Sequence, residues 1–268
     1  MNILEKIVAH KKKEVAQAKA RVSAVELERS EHFERRGLSL KKSLLHAENV
    51  GIIAEFKRQS PSKGIINATA LPQIVTQGYA DAGAAGISVL TDAEFFGGSF
   101  EDFAKARAAC PTTPLLRKDF MVDFYQLLEA KAMGADVILL IAACLTPRQI
   151  NDLAQQAHAL GLEVLLEVHN RQELEQSLCE HIDLVGVNNR NLKNFSTSVE
   201  TSIELAELIP SDFVMISESS LKDADTIRLL QKIGYRGFLI GETFMKTSDP
   251  AAALQQLMNE LSQVSIIH

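Results

Sequence analysis

Cysteine is scarce in this sequence: 3 of its 268 residues are cysteines, at positions 110, 144 and 179. They are far apart, odd in number and not arranged in a CxxC or Cys/His ligand spacing. This pattern excludes a disulfide framework and a structural zinc site. We expect reduced, mostly buried thiols, which favours a cytoplasmic location.

Long apolar runs are also missing. The longest, VILLIAACLTP from Val137, is about half of the roughly 20 residues that a membrane-spanning helix needs. The N-terminal segment carries Glu5 and Glu14 and lacks the apolar core of a signal peptide. We therefore expect a soluble protein with no membrane partner.

Positive charge is not in excess, since 28 Lys and Arg residues face 34 Asp and Glu residues, for a net charge of −6. That balance argues against binding to nucleic acid or to anionic membranes. It leaves room for a small anionic substrate held by a few local cations. With 46% hydrophobic and 23% charged residues, the composition is otherwise that of a globular protein.

The glycine-rich motifs GxGxxG and GxxxxGK[ST] are absent, which argues against a dinucleotide-binding or P-loop fold. Instead, eight short apolar runs recur from Val50 onward, with helix-like segments between them. Each run is too short for a core helix and too continuously apolar for a half-exposed strand, as is typical of parallel strands covered on both faces. The runs are 51–56, 86–90, 113–116, 137–141, 163–166, 184–187, 213–216 and 237–240. Eight strand–helix units predict an α/β fold, a (βα)8 TIM barrel.

The first 48 residues have a different character, rich in Lys, Glu and Arg. Apolar residues at helical spacing around Leu4 and Ile7, and again at Leu40 and Leu44, predict two amphipathic helices joined by a polar linker. We expect residues 1–48 to form an N-terminal extension packed on a barrel of residues 49–268. The run Lys11–Lys13 is interpreted as a solvated helix face rather than a binding patch.

Barrel enzymes place their active sites at the carboxyl ends of the strands. Five of the predicted strands end in ionisable or amide residues: Glu55 and Lys57, Lys118, Glu167, Asn188, and Glu218. The two-residue spacing puts Glu55 and Lys57 on one face of a strand, and Lys118 on the same face as Leu116. Buried charges are costly unless paired, so a converging set indicates a function. Interleaved carboxylates and amines favour acid–base chemistry, and the cations oppose a divalent metal.

A phosphate site is predicted at the same end. The loops after strands 7 and 8 often cradle phosphate in barrels, and here they contain Ser219, Gly241 and Glu242. The segment SPSKG after strand 1 adds Ser60 and Lys63 as possible donors, although such residues also build ordinary turns.

Seven motifs occur in order along the chain: AEFKRQSPSKG (54–64), LTDAEFFGGS (90–99), LLRKDFMVD (115–123), LLEVHN (165–170), VGVNNRNL (185–192), ISESS (216–220) and LIGETFM (239–245). Together they resemble the indole-3-glycerol-phosphate synthase family. The resemblance covers residues 50–246 and extends to the helical N-terminus. Two positions depart from the family pattern: Ser220 replaces a usual glycine, and Glu242 a frequent serine.

The resemblance implies conversion of 1-(2-carboxyphenylamino)-1-deoxyribulose 5-phosphate to indole-3-glycerol phosphate, with loss of carbon dioxide and water. Lys118 would then be the general acid, Lys57 would hold the substrate carboxylate, and Glu167 would be the partner acid or base. The remaining implied roles are shaping the site (Glu55 and Asn188), tuning the lysines (Glu218), and holding substrate and phosphate (Ser60, Lys63, Arg190, Ser219, Gly241 and Glu242). It also implies a monomer that needs no cofactor or metal.

Two other functions fit the same residues. One is a Schiff-base aldolase with Lys118 as the nucleophile, and the other is a non-catalytic barrel that binds a phosphorylated metabolite. A fusion with the preceding isomerase is not expected, because no second barrel follows before His268. His169 could line the mouth of the site, but we interpret it as a loop histidine.

Overall fold

The chain folds into a closed barrel of eight parallel strands, as shown by a computed structural model that describes residues 2–47, 50–191 and 195–263. The strands pair in chain order, and β1 closes the barrel by pairing with β8. They are β1 (Gly51–Phe56), β2 (Gly86–Leu90), β3 (Leu115–Lys118), β4 (Val137–Ile141), β5 (Glu163–Val168), β6 (Leu184–Asn188), β7 (Val214–Glu218) and β8 (Gly237–Ile240). The predicted (βα)8 barrel is confirmed.

Helices precede and alternate with these strands. Three lie before the barrel: α1 (Ile3–Arg21), α2 (Ala24–Glu28) and α3 (Leu40–Leu45). The others are α4 (Pro72–Asp81), α5 (Ala93–Phe96), α6 (Phe100–Ala109), α7 (Tyr125–Ala132), α8 (Pro147–Ala159), α9 (Arg171–Ser177), α10 (Glu200–Ala206), α11 (Ala224–Ile233), α12 (Glu242–Met245) and α13 (Pro250–Ser262). A short antiparallel pair, Gln59–Ser60 with Gly64–Ile65, follows β1, and a 3-10 turn, Ala142–Cys144, follows β4. No helix among the described residues is both long and apolar enough to cross a bilayer.

Strands β3, β5 and β7 extend two residues beyond the apolar runs that predicted them, and end at Lys118, Val168 and Glu218. Lys118 and Glu218 are in register with Leu90 of β2 and Leu239 of β8. The structure thus holds these two charged side chains at strand ends, in agreement with the prediction from the sequence.

The core has two layers, one on each face of the barrel wall. The outer face packs against the helices through residues such as Phe56 and Leu140, and the inner face packs on itself through residues such as Ile53, Leu116 and Leu165. Strand positions two apart share a face. Each strand is therefore buried on both sides, as its continuously apolar sequence predicts.

Helix α3 closes the amino-terminal mouth of the barrel. Leu40 and Leu44 are buried there and lie against strand-initial glycines. A β-carbon at Gly86 would come within 2.4 Å of Leu40 Cδ1, and one at Gly51 within 2.5 Å of Leu44 Cδ2. The extension thus packs on the barrel. The boundary predicted between residues 48 and 49 lies outside the described residues.

Helix α1 lies at the opposite mouth of the barrel, and two predictions about the extension are wrong. Lys11 is not solvated: its side chain is fully buried, and its Nζ lies 2.8 Å from Asp119 Oδ1 and 3.0 Å from Asp92 Oδ2. Only Lys12 and Lys13 are exposed as predicted. Within residues 2–47 the extension contains three helices instead of the two predicted, because α2 forms within the polar linker.

Candidate active site

A cavity of about 590 Å³ opens at the carboxyl ends of the strands. All twelve residues predicted for the site line it: Glu55, Lys57, Ser60, Lys63, Lys118, Glu167, Asn188, Arg190, Glu218, Ser219, Gly241 and Glu242. The cavity therefore brings together residues from the ends of β1, β3, β5, β6, β7 and β8 and from the loops that follow these strands.

The charged floor of the cavity is the last layer of the barrel interior. Each charged residue of this layer lies two positions after an apolar residue of the inner core on the same strand. The pairs are Leu116 and Lys118, Leu165 and Glu167, and Ile216 and Glu218. Because alternate residues share a face, the charged ends point inward above an apolar plug. Water below them is excluded by packing, so electrostatic interactions in this layer are strong.

Lys118 is the centre of the charged layer. Its Nζ donates hydrogen bonds to Glu218 Oε2 at 2.7 Å and to Glu167 Oε2 at 3.0 Å. Burial opposes the positive charge, but the carboxylates of Glu218, Glu167 and Glu55 outweigh that effect and raise the pKa of Lys118. Lys118 is therefore an ammonium ion held between two carboxylates.

Glu167 and Glu218 share Lys118 but ionise differently. Burial raises the pKa of Glu218 to about 7, with the negative charges of Glu167 and Glu55 adding to the effect. Burial acts in the same direction on Glu167, but Lys118 and His169 outweigh it and hold its pKa below the usual range. Two neighbouring carboxyl groups with separated pKa values are the arrangement that divides acid from base roles in enzymes.

Glu55 and Lys57 form a second pair at the end of β1. Lys57 Nζ donates to Glu55 Oε1 at 2.6 Å, and Ser88 Oγ donates to Glu55 Oε2 at 3.2 Å. A β-carbon at Gly241 would lie 2.6 Å from Glu55 Oε1. The glycine at this position, which the sequence placed at the phosphate end, therefore also leaves room for the Glu55 carboxylate.

The predicted phosphate end is built by the loops that follow β1, β6, β7 and β8. Glu242 bridges two of them, with Oε1 3.4 Å from Lys63 Nζ and Oε2 3.5 Å from an Arg190 terminal nitrogen. Ser219 and Ser220 have φ values of 64° and 59°, in the left-handed region that favours glycine. Ser220, at which the resemblance led us to expect glycine, thus has the backbone that glycine adopts most easily.

An apolar wall of the cavity was missed by sequence reasoning. It is formed by Ile3, Leu4 and Ile7 of α1 together with Phe96 and Phe120. The two phenylalanine rings lie with centroids 6.0 Å apart. Helical spacing identified the buried face of α1, but nothing in the sequence shows which end of the barrel that face covers.

His169 follows β5 and stands behind the floor of the cavity. It lies in a bend, as the loop interpretation predicted. Its side chain nevertheless contacts the site, because Nε2 lies 3.2 Å from Glu167 Oε1. The spacing of two residues between Glu167 and His169 is the signal that indicates this proximity.

Known proteins resemble this chain over nearly its whole length. The family model for indole-3-glycerol phosphate synthase matches residues 4–257. The indole-3-glycerol phosphate synthase of Bacteroides thetaiotaomicron is 46% identical over 260 residues, covering 97% of this chain and 99% of the relative. That of Burkholderia lata is 43% identical over 258 residues, covering 96% and 98%.

A solved structure, that of KGPDC from Streptococcus mutans, is 13% identical and superposes with a TM-score of 0.62. It covers 81% of this chain and 100% of its own. At that identity the likeness shows the barrel fold alone. The family model and the two relatives cover the extension as well as the barrel, and they carry the name of the family that the seven motifs resemble. The chain therefore belongs to the indole-3-glycerol phosphate synthase family.

Proposed function

We propose that this protein converts 1-(2-carboxyphenylamino)-1-deoxyribulose 5-phosphate to indole-3-glycerol phosphate, releasing carbon dioxide and water. The observation that carries the proposal is the position of Lys118. Its ammonium group is held by Glu167 and Glu218 on the floor of a cavity with an apolar wall and a cationic end. Family membership supports the same reaction.

The cavity suits both ends of this substrate. The aromatic ring fits the apolar wall of α1, Phe96 and Phe120, and the phosphate fits the end that carries Lys63 and Arg190. The ring carboxylate is then within reach of Lys57, and the ketone lies over Lys118. This pose holds the reacting carbons together, which is a large part of catalysis of ring closure.

Ring closure places new charge on the ketone oxygen. The ring carbon that carries the carboxylate attacks the ketone carbon, and Lys118 donates a proton to the oxygen as that bond forms. An ammonium at this point stabilises the transition state more than the ground state. Carbon dioxide then leaves, and its bonding electron pair neutralises the iminium nitrogen.

Dehydration needs an acid and a base. Lys57 donates a proton to the new hydroxyl group, which leaves as water, and Glu167 accepts a proton from the neighbouring carbon to complete the indole. Glu55 holds Lys57, Glu218 holds Lys118, and Asn188 donates to Glu167 Oε1 at 3.2 Å. Each proton transfer thus has a positioned partner, and such groups contribute about 10²- to 10⁴-fold to the rate.

The test is turnover of the anthranilate-derived ribulose phosphate by purified protein, followed by the fluorescence of the indole product, with a chelator present. Wild type is expected to turn over, and Lys118→Met to lose about 10²- to 10⁴-fold in kcat. The controls are matched circular dichroism spectra of both proteins. A folded wild type without turnover contradicts the proposal, and so does a Lys118→Met variant of wild-type activity.

Borohydride trapping of the wild-type protein separates the Schiff-base alternative. Two carboxylates keep Lys118 protonated, and an ammonium ion is not a nucleophile. Borohydride added with substrate is therefore expected to leave no adduct on Lys118 by mass spectrometry. An adduct there favours the aldolase. Substrate binding without turnover favours the non-catalytic barrel.

We also propose a cytoplasmic monomer in which residues 1–48 and 49–268 act as one catalytic unit without a cofactor. Helix α1 of the extension supplies part of the cavity wall. The three cysteines are free thiols, in keeping with a reducing compartment. Sedimentation is expected to give one species near 29.4 kDa, and a stable dimer contradicts the monomer.

A further inference from the structure

His169 lies between two carboxylates. Its Nε2 is 3.2 Å from Glu167 Oε1, and its Nδ1 is 3.0 Å from Glu173 Oε2. The imidazole is 10% exposed, so these contacts are shielded from solvent. Nδ1 is hydrogen-bonded to Glu173, whereas Nε2 contacts Glu167 as an ion pair without a hydrogen bond. Only an imidazolium is attracted to both carboxylates, so the two together favour the protonated form.

Glu173 is itself fixed in place. Its Oε2 accepts a hydrogen bond of 2.8 Å from the backbone N–H of His169, and its Oε1 accepts one of 2.8 Å from Asn170 Nδ2. Asn170 is also the cap of α9, since its side chain accepts from the backbone N–H of Glu173. The start of α9 thus anchors the carboxylate that holds His169.

Glu167 uses its two oxygens for different partners. Oε1 faces Asn188 and His169, and Oε2 accepts from Lys118. The contacts of Oε1 therefore determine that Oε2 is the oxygen that faces Lys118. Rotation of the carboxylate would break an ion pair in the low-dielectric interior, where such contacts are strong.

We propose that His169 is a positioning residue for the reaction. Bound to Glu173, its imidazolium keeps Glu167 ionised and turns Oε2 of that carboxylate toward Lys118. The inference rests on the proposed function, in which Glu167 transfers a proton at the substrate. It adds a layer behind the cavity, made of His169 and Glu173, neither of which lines the cavity itself.

The charges around this pair support the proposal. Burial lowers the pKa of His169, but Glu167 and Glu173 outweigh it and raise that pKa to about 10. Lys118 and Glu218 face Glu167 from the other side. Burial and the two carboxylates raise the pKa of the Cys144 thiol to about 12, so the thiol stays neutral over the working pH range.

The test compares His169→Gln with Glu173→Gln in steady-state kinetics from pH 4.5 to 8. Losing one interaction between charged groups, here that of His169 with Glu167, is expected to slow the reaction about 10- to 100-fold. We expect His169→Gln to lower kcat by that factor and to change KM by less than about threefold. Loss of the imidazolium also raises the pKa of Glu167. The fall of kcat on the acidic side of the pH profile should therefore depend on one more proton than in wild type. Glu173→Gln should act in the same direction more weakly.

A matched control exists at the other end of the barrel. His158 Nε2 lies 2.8 Å from Asp183, so His158→Gln removes a histidine–carboxylate pair far from the cavity and is expected to leave kcat and the pH profile unchanged. In addition, ¹⁵N NMR of the imidazole should show His169 titrating near pH 10 in wild type and at lower pH in Glu173→Gln.

Two results overturn the inference. The first is a His169→Gln variant that loses activity in proportion to its folded fraction while the acid limb is unchanged, which indicates a purely structural role. The second is an imidazole titration that Glu173→Gln does not move. If wild type fails to turn over the substrate, the proposed function is wrong, and the NMR titration still decides whether Glu173 holds the charge on His169.

Discussion

Glu218 is a buried carboxyl group whose pKa is raised to about 7. Its Oε2 accepts from Lys118, but its Oε1 is buried without a hydrogen-bond partner among the described residues. A β-carbon at Gly186 would lie 2.4 Å from that oxygen, so glycine at this strand position makes space for it. An uncompensated buried oxygen destabilises the carboxylate, which agrees with the raised pKa.

Glu242 gives a prediction at the residue scale. Its carboxylate lies near Lys63 and Arg190, the cations expected to bind phosphate, and so competes with the substrate for them. Glu242→Gln should lower KM, and also the inhibition constant of inorganic phosphate. The change should be at most about fivefold, because half-exposed ion pairs contribute about 0–1 kcal/mol. Initial-rate kinetics at low ionic strength measure both constants.

The control for this prediction is Glu101→Gln. Glu101 pairs with Lys105 at 2.7 Å on an exposed face of α6, so its loss changes the net charge by the same amount away from the cavity. It should leave KM unchanged. A KM that rises in Glu242→Gln would show that the carboxylate helps to hold the substrate.

At the scale of elements, α1 is tied to the strand end that carries Lys118. Arg117 and Asp119 flank that residue in the sequence. Asp119 Oδ2 lies 3.1 Å from Arg117 Nη2, and Asp119 Oδ1 lies 2.8 Å from Lys11 Nζ of α1. This buried network joins the helix to β3 on both sides of the proposed acid. Removing one member of such a network leaves an unpaired charge inside the protein.

Lys11→Met tests this connection. The variant leaves Asp92 and Asp119 without the buried cation between them, so the free energy of unfolding should fall by about 3–5 kcal/mol. Because the same change frees α1, KM for the aromatic substrate should rise. Urea denaturation and initial-rate kinetics measure the two effects.

Lys12→Met is the matched control, one residue along the same helix and exposed. It should change the unfolding free energy by less than about 0.5 kcal/mol. Equal effects of the two substitutions would contradict a specific role for the buried cation.

At the scale of the whole molecule, the sequence predicts the barrel and the convergence of charged residues at its strand ends. Both follow from local patterns: apolar runs mark the strands, and the two-residue period assigns Glu55 and Lys118 to the inner face. Arg190 was assigned to the site only by the family resemblance. The burial of Lys11 and the contact of α1 with the cavity could not be predicted. They depend on where a helix docks and on partners far away in the chain, which periodicity does not encode.

The extension also has a consequence for how the chain assembles. Helices α1 and α3 precede β1, yet they cover opposite mouths of the barrel, and Leu44 lies against positions in both β1 and β8. Helix α3 leaves the ribosome before any strand but lacks its complete binding surface until β8 has joined β1. We therefore expect α3 to dock late, with its apolar face exposed to chaperones while the strands are being synthesised.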